Sequence, residues 1–172
     1  MQRPFALAAL AAAVTVVAGC GGGSSSSSPS SSASGSAPAA GAALATADHG
    51  LGPMLVDAQG RTLYLWKADA GTTSACTGAC AQGWPPATVG AAPRAGTGVI
   101  AGRVGTTTRS DGSRQLTYAG HPLYRYAGDV RPGDVNGQDS NGFGAPWYVV
   151  APDGKAITRA ATSAPAPSRS GY

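Results

Sequence analysis

The chain has 172 residues, a net charge of +4 and only 12% charged residues, with 26 Gly and 13 Pro, a composition of turns and short elements rather than long helices. It contains no Glu, which excludes paired-Glu acid–base mechanisms. Its Arg residues are scattered singly, without a basic run or recognition motif, so nucleic-acid binding is not expected.

The N-terminus reads as an address and an anchor. Met1-Gln2-Arg3 is a short positive region, and Phe5 to Ala18 is an uncharged apolar run, shorter than the roughly 20 residues a spanning helix needs. The run ends in Val17-Ala18-Gly19-Cys20, small residues before a Cys that takes a lipid and becomes the new N-terminus. Residues 1–19 are therefore expected to be a signal peptide and Cys20 a lipidation site. The expected partner is a membrane, reached through that lipid, and the expected location is the extracytoplasmic face of the cell envelope. That means the outer face of the plasma membrane, or the outer membrane in a two-membrane cell, with which Gly21 is compatible.

Residues 20–48 read as the lipidated Cys and a tether. Gly21-Gly22-Gly23 and five consecutive Ser from Ser24 to Ser28 are followed by Ser, Ala, Gly and Pro, with no charge until Asp48. Such a segment has little to bury and is expected to be disordered, with a reach of roughly 30 Å. Residues 49–160 form the expected folded domain, and the Ala/Ser/Pro-rich residues 161–172 a disordered tail.

Within the domain, β signals dominate. Met54-Leu55-Val56 and Thr62 to Trp66 flank Asp57-Ala58-Gln59-Gly60. Val104 to Arg109 and Gln115 to Tyr118 flank Ser110-Asp111-Gly112-Ser113, and Trp147 to Val150 and Ala156 to Thr158 flank Pro152-Asp153-Gly154. Each reads as a hairpin-like unit closed by turn residues. One segment looks helical, Cys76 to Gln82, with Ser74 as its cap and Gly83 and Pro85 as its stop. The predicted fold is mainly β: a small antiparallel domain built from two related repeats, with one short helical turn.

The repeat has an offset of 60. Gly60 to Asp69 aligns with Gly120 to Asp129, and both copies read Tyr-x-aromatic-x-x-Asp: Tyr64, Trp66 and Asp69 in the first, Tyr124, Tyr126 and Asp129 in the second. Residues i and i+2 of a strand share a face. Tyr64 with Trp66, and Tyr124 with Tyr126, should therefore form matched aromatic layers, with Leu63, Leu65, Leu123 and Arg125 on the other side. Each Asp lies where it could accept backbone N–H bonds and fix a turn. The alternative use of the rings is an open platform for a ligand.

These motifs, with Ser74 to Cys80 running to Trp84-Pro85-Pro86, and Tyr118-Ala119-Gly120-His121-Pro122-Leu123-Tyr124, resemble the secreted-repeat lipoproteins named for the Tyr-x-(Phe/Trp/Tyr)-x-x-Asp motif. The resemblance covers about residues 55–154. It implies export, a repeat and this fold unit, and it implies no reaction.

Cys76 and Cys80 are the cysteines that remain once Cys20 is lipidated. In an oxidising compartment they read first as a disulfide. Side chains at i and i+4 of a regular helix are about 5–6 Å apart at Cβ, and a disulfide requires about 3.5–4.5 Å, so the turn must tighten, which Gly78 permits. A redox-active pair and metal ligation are the alternatives. With Met54 and His121 the two sulfurs make a conceivable soft-metal set for Cu(I). No cofactor is expected, with copper and haem left open. His49 at the tether boundary reads as solvated. The loop Asp134 to Gly142 invites calcium but lacks the EF-hand order and its closing Glu. No Gly-x-Ser-x-Gly elbow, His-Glu-x-x-His or phosphate loop occurs. The expectation is a non-enzymatic envelope domain that binds or supports an unknown ligand or protein. The alternative is a redox or metal-handling module on Cys76 and Cys80, with Tyr64, Trp66, Tyr124 and Tyr126 as a path for electrons.

Overall fold

The computed structural model describes residues 43–159. The expected signal peptide, the lipidation of Cys20 and the tail 161–172 lie outside the described residues. In chain order the elements are β1 (Leu44–Asp48), β2 (Pro53–Asp57), β3 (Tyr64–Trp66), α1 (Ala79–Gly83), a 3₁₀ turn (Ala101–Arg103), β4 (Val104–Thr108), β5 (Arg114–Tyr118), β6 (His121–Pro122), β7 (Asn141–Gly142) and β8 (Ala145–Val149). Among the described residues they form three small antiparallel sheets, β1-β2, β3-β8-β7 and β4-β5-β6. The mainly β architecture with one short helix is the one expected from the sequence.

Strand β1 corrects the reading of residues 44–48 as the end of a tether. Leu44 pairs with Asp57 and Asp48 with Pro53. Leu44 and Ala45 are fully buried, and the Leu44 carbonyl accepts the N–H of Gly96 at 2.8 Å. Two apolar side chains in an Ala-rich background carry no strand pattern, and what orders them is a partner strand and a loop more than 45 residues away.

The helix also differs from expectation. It starts at Ala79, not Cys76, and its N-cap is Gly78, at φ +56° and without a side-chain bond. A left-handed residue at 78 stops a helix from running through from Cys76. Ser74 is not the cap because its hydroxyl is engaged elsewhere, by the Tyr124 hydroxyl at 2.8 Å and the Arg109 guanidinium at 2.5 Å.

The hairpin turns lie where the sequence puts them; β4 pairs with β5 across Ser110–Ser113 as expected, whereas β3 finds a more distant partner. Asp57 Oδ1 accepts the N–H groups of Gln59 and Arg61, and Gly60 takes φ +76°, a value that favours glycine. Pairing across this turn reaches only Leu63, whose N–H bonds Leu55. From there β3 leaves its neighbour and joins β8, Tyr64 opposite Val149 and Trp66 opposite Trp147.

The same departure occurs in the second half, and the two are reciprocal. Tyr64 and Tyr124 exchange both backbone bonds at 2.9 Å. Lys67 donates to Pro146, and Ala127 donates to Gly83. Leu55 donates to Val150 and Val150 to Leu63, while Leu116 donates to Ala87 and Ala87 to Leu123. The segment around Trp84–Ala87 thus completes the sheet of the second half, and the segment around Trp147–Val150 completes that of the first. Each half lends its last strand to the other.

Strand alternation then sorts the core into two layers, as the repeat predicts. Tyr64, Trp66, Tyr124, Trp84, Trp147, both cysteines and Met54 form one cluster, with Tyr126 packed at its edge. Leu44, Leu55, Leu63, Leu65, Leu116, Leu123 and Val150 form the other.

Candidate functional site

The motif residues meet crosswise. Tyr64 Oη donates to Asp129 Oδ2 at 2.6 Å, and Tyr124 Oη donates to Asp69 Oδ2 at 2.7 Å. Each Asp also accepts a backbone N–H, Asp69 from Ala75 and Asp129 from Asn136. The carboxylates therefore fix the loops that follow the strands, and each also receives the phenol of the opposite repeat. Burial raises the Asp69 and Asp129 carboxyls above the ordinary value, against the lowering effect of their hydrogen bonds. Burial first, and the carboxylate beside it, pushes the Tyr64 phenol far up. The Tyr124 phenol is raised by burial and by Asp69 despite the opposing bond to Ser74. Both phenols stay protonated and donating.

The rings form one continuous stack. Trp66 lies on Trp147 at 5.0 Å between centroids and 7° between planes, Trp147 on Trp84 at 4.0 Å and 3°, and Trp84 on Tyr126 at 4.5 Å and 36°. Tyr64 meets Trp84 edge-on at 5.3 Å, and Tyr124 meets Trp147 edge-on at 5.1 Å. These are favourable aromatic geometries. Trp84 and Trp147 are the centre of the arrangement, and sequence reasoning did not single them out as a pair. The cue was there: each follows its repeat's aromatic strand and precedes its exchanged segment. With Trp66 and Tyr64 buried, the rings are a packed core and not an open platform.

At the Tyr126 end, the core opens into a pocket of about 200 Å³ lined by Arg61, Thr62, Pro85, Arg125, Tyr126, Ala127 and Asp129. Arg125 occupies the position that Leu65 holds in the other repeat. Its Nε donates to Asp57 Oδ2 at 2.6 Å, and Arg61 donates to the same oxygen from Nε at 3.0 Å. Asp57 is almost fully buried. Burial alone would raise its carboxyl, but the bonds from Arg125, Arg61 and Gln59 outweigh burial and hold it below the ordinary value. The Nη atoms of Arg125 have no hydrogen-bond partner among the described residues.

Cys76 and Cys80 are joined in a disulfide, with Cα atoms 5.3 Å apart, and both are buried in the aromatic layer. As in the sequence argument, Gly78 supplies the unusual backbone between them. Arg109 holds the disulfide-bearing loop through the Cys76 carbonyl at 2.6 Å and Ser74, and it is itself held by Gln115 Oε1 at 2.7 Å. This buried guanidinium was one more scattered Arg in the sequence.

The remaining candidates are dispersed. Met54 is buried in the aromatic layer, and His121 is half-buried in β6 opposite Tyr118. Among the described residues, no three His, Cys, Asp or Glu side chains converge as a metal site. His49, expected in solvent, is half-buried beside Gly133, its Nε2 without a partner among the described residues. In the loop Asp134 to Gly142, Asp134 Oδ2 accepts the N–H groups of Val130 and Arg131, and Gln138 bonds Ile157 and Val149. These side chains hold backbone.

Among the described residues, no helix is long and apolar enough to cross a membrane. A search of curated proteins and of solved structures found no match. A family model matches residues 45–88 and 105–151. The two matched stretches are the two halves that exchange strands, the first ending just past Ala87 and the second just past Val150. The chain belongs to the family described as a secreted repeat of unknown function.

Proposed function

We propose that this chain is a lipid-anchored, non-enzymatic domain of the cell envelope that binds a ligand or partner through the pocket beside Tyr126. The family is one of secreted repeats, so the domain works outside the cytoplasm. The observation that carries the binding reading is the pair of guanidiniums on Asp57. One buried carboxylate holds Arg61 and Arg125 in place and leaves the Nη donors of Arg125 beside a pocket with Tyr126 and Pro85 in its wall. Such a surplus of fixed donors against an aromatic wall suits a ligand that presents a carboxylate, which an Arg can hold with two parallel bonds. The rigid core behind it limits the ordering that binding requires.

The test is an NMR titration of the isotope-labelled chain with a panel of small carboxylates. Saturable shifts at Arg61, Arg125 and Tyr126 that vanish in Arg125→Gln support the reading. A panel that moves none of them removes the pocket as a binding site. For the anchor, mass spectrometry of the protein from cells should find a lipid-modified N-terminal Cys20, and Cys20→Ala should release the protein from membranes. An unmodified protein with the leader intact would overturn the anchor.

A second reading, an electron-transfer module, is favoured by the stack Trp66–Trp147–Trp84–Tyr126 and by the redox-capable Cys76–Cys80 bond.

A further inference from the structure

We propose that the aromatic stack is a relay for single electrons whose terminal donors are Tyr64 and Tyr124, each with a dedicated proton acceptor, Asp129 and Asp69. The inference rests on the electron-transfer reading of the stack and is independent of the disulfide.

Three features separate this arrangement from an ordinary aromatic core. The first is continuity: three consecutive steps of 5.0, 4.0 and 4.5 Å connect Trp66 to Tyr126. Electron transfer weakens steeply with distance, and rings in contact, near-parallel in the first two steps and tilted by 36° in the third, give it short steps. The second is the tyrosines. Each stands edge-on to one of the two central indoles, Tyr64 to Trp84 and Tyr124 to Trp147. A buried phenol is hard to oxidise unless its proton leaves with the electron, because the cationic radical would be stranded in a medium of low dielectric. Here the proton has an acceptor in direct contact, at 2.6 Å for Tyr64 and 2.7 Å for Tyr124. Burial makes both carboxylates more basic than usual, which favours acceptance. The third is an outlet for one of the two pairs: Tyr126, at the end of the stack, and Asp129, the acceptor for Tyr64, both line the pocket.

The chemistry balances as follows. A one-electron oxidant removes an electron from an indole of the stack and is itself reduced. The vacancy passes along the rings. Tyr64 then gives up one electron to the oxidised indole and its hydroxyl proton to Asp129 Oδ2. The products are a restored tryptophan, a neutral tyrosyl radical and a protonated Asp129. Tyr124 and Asp69 do the same on the other side.

The test is pulse radiolysis of the whole chain with the azide radical, which takes one electron and becomes azide. The expected result is an indole radical that decays by a first-order process, independent of protein concentration, as a tyrosyl radical grows. That growth should slow severalfold in heavy water and in Asp129→Asn, and should disappear in the double variant Tyr64→Phe/Tyr124→Phe. Should Asp129→Asn fail to fold, the heavy-water measurement on the unaltered chain and the Phe variants decide the matter, since Phe preserves the packing. Tyrosyl growth that persists in the double Phe variant, or that is indifferent to heavy water, overturns the assignment to Tyr64 and Tyr124 while leaving an electron-transfer role standing. Indole radicals that decay only by encounter between molecules overturn both. In Cys76→Ser/Cys80→Ser the kinetics should be unchanged, and loss of the growth there would make the tyrosine step depend on the disulfide and overturn a relay independent of it.

Discussion

The hydroxyl of Tyr64 donates to the carboxylate of Asp129, 65 positions further along the chain, at 2.6 Å. Each tyrosine of the repeated motif is bonded to the aspartate of the other repeat, so the motif is completed between repeats rather than within one. Tyr64→Phe keeps the ring and removes the donor. Asp129 is left with the N–H of Asn136 as its remaining protein donor at Oδ1. The expected loss is about 1–3 kcal/mol, the range for leaving a buried polar group short of a partner. A double-mutant cycle with Asp129→Asn, read by urea unfolding, should give a coupling energy of about 0.5–3 kcal/mol. Additive losses would mean that the two groups do not support one another.

That crosswise pairing marks how far the sequence could be read. The offset of 60, the alternation of Tyr64 and Trp66 against Leu63 and Leu65, the turn at Asp57-Ala58-Gln59-Gly60 and the place of Asp69 past β3 are local patterns found in the structure. In the second copy the strand expected through Tyr124 and Tyr126 stops at Pro122, and Tyr124 makes only isolated bridges. The partners are non-local. Nothing near Tyr64 in the sequence distinguishes Asp69 from Asp129, and nothing near Trp84 shows that its strand completes the other half. β1 was lost for the same reason, since Leu44 owes its burial to β2 and the 94–97 segment. Arg125 differs from Leu65 in plain view, yet only Asp57 in the folded chain explains a cation in a leucine position.

Trp66→Ala should cost about 3–5 kcal/mol, the range for deleting a large buried aromatic side chain. The ring lies flat on Trp147 and donates its indole N–H to the Ala145 carbonyl at 3.3 Å, so the variant loses packing and a bond together. Thermal or urea unfolding measures it. A variant that stays equally stable and loses a ligand would reinstate the rings as a binding platform.

The carboxyls set an unusual pH dependence. Asp69 and Asp129 have folded values above their unfolded ones, so between the two values the folded state holds more protons. Their contribution is fully present below the unfolded value, about 3.9, and is lost as pH rises through the folded values. Asp57 has the opposite sign: its folded value is depressed, and its contribution is present above the unfolded value and lost as pH falls through the folded one. Stability should therefore rise as pH falls through the folded values of Asp69 and Asp129, and fall only below about pH 4, where the contribution of Asp57 is lost. Urea midpoints across pH measure it. Asp57→Asn should flatten the acid limb, and a monotonic fall from pH 7 downward would contradict the assignment of Asp69 and Asp129.

The disulfide offers the sharpest separation between structure and chemistry. Cys76 and Cys80 close a loop of five residues, for which chain entropy yields only about 2 kcal/mol. Cys76→Ser/Cys80→Ser should lower stability by about that much and leave a folded domain, because Arg109 still holds the loop through the Cys76 carbonyl and Ser74. A structural staple buried in the aromatic layer should have a reduction potential below about −300 mV and should resist thiol reagents until the domain unfolds. A potential between about −120 and −270 mV, in the range of thiol oxidoreductases, would mean that the pair cycles. The strand-exchange frame would then be the scaffold of a redox protein, with the sulfurs rather than the rings at its centre. Equilibration of the chain with thiol–disulfide buffers of graded potential, followed by alkylation and mass measurement, reads the value directly.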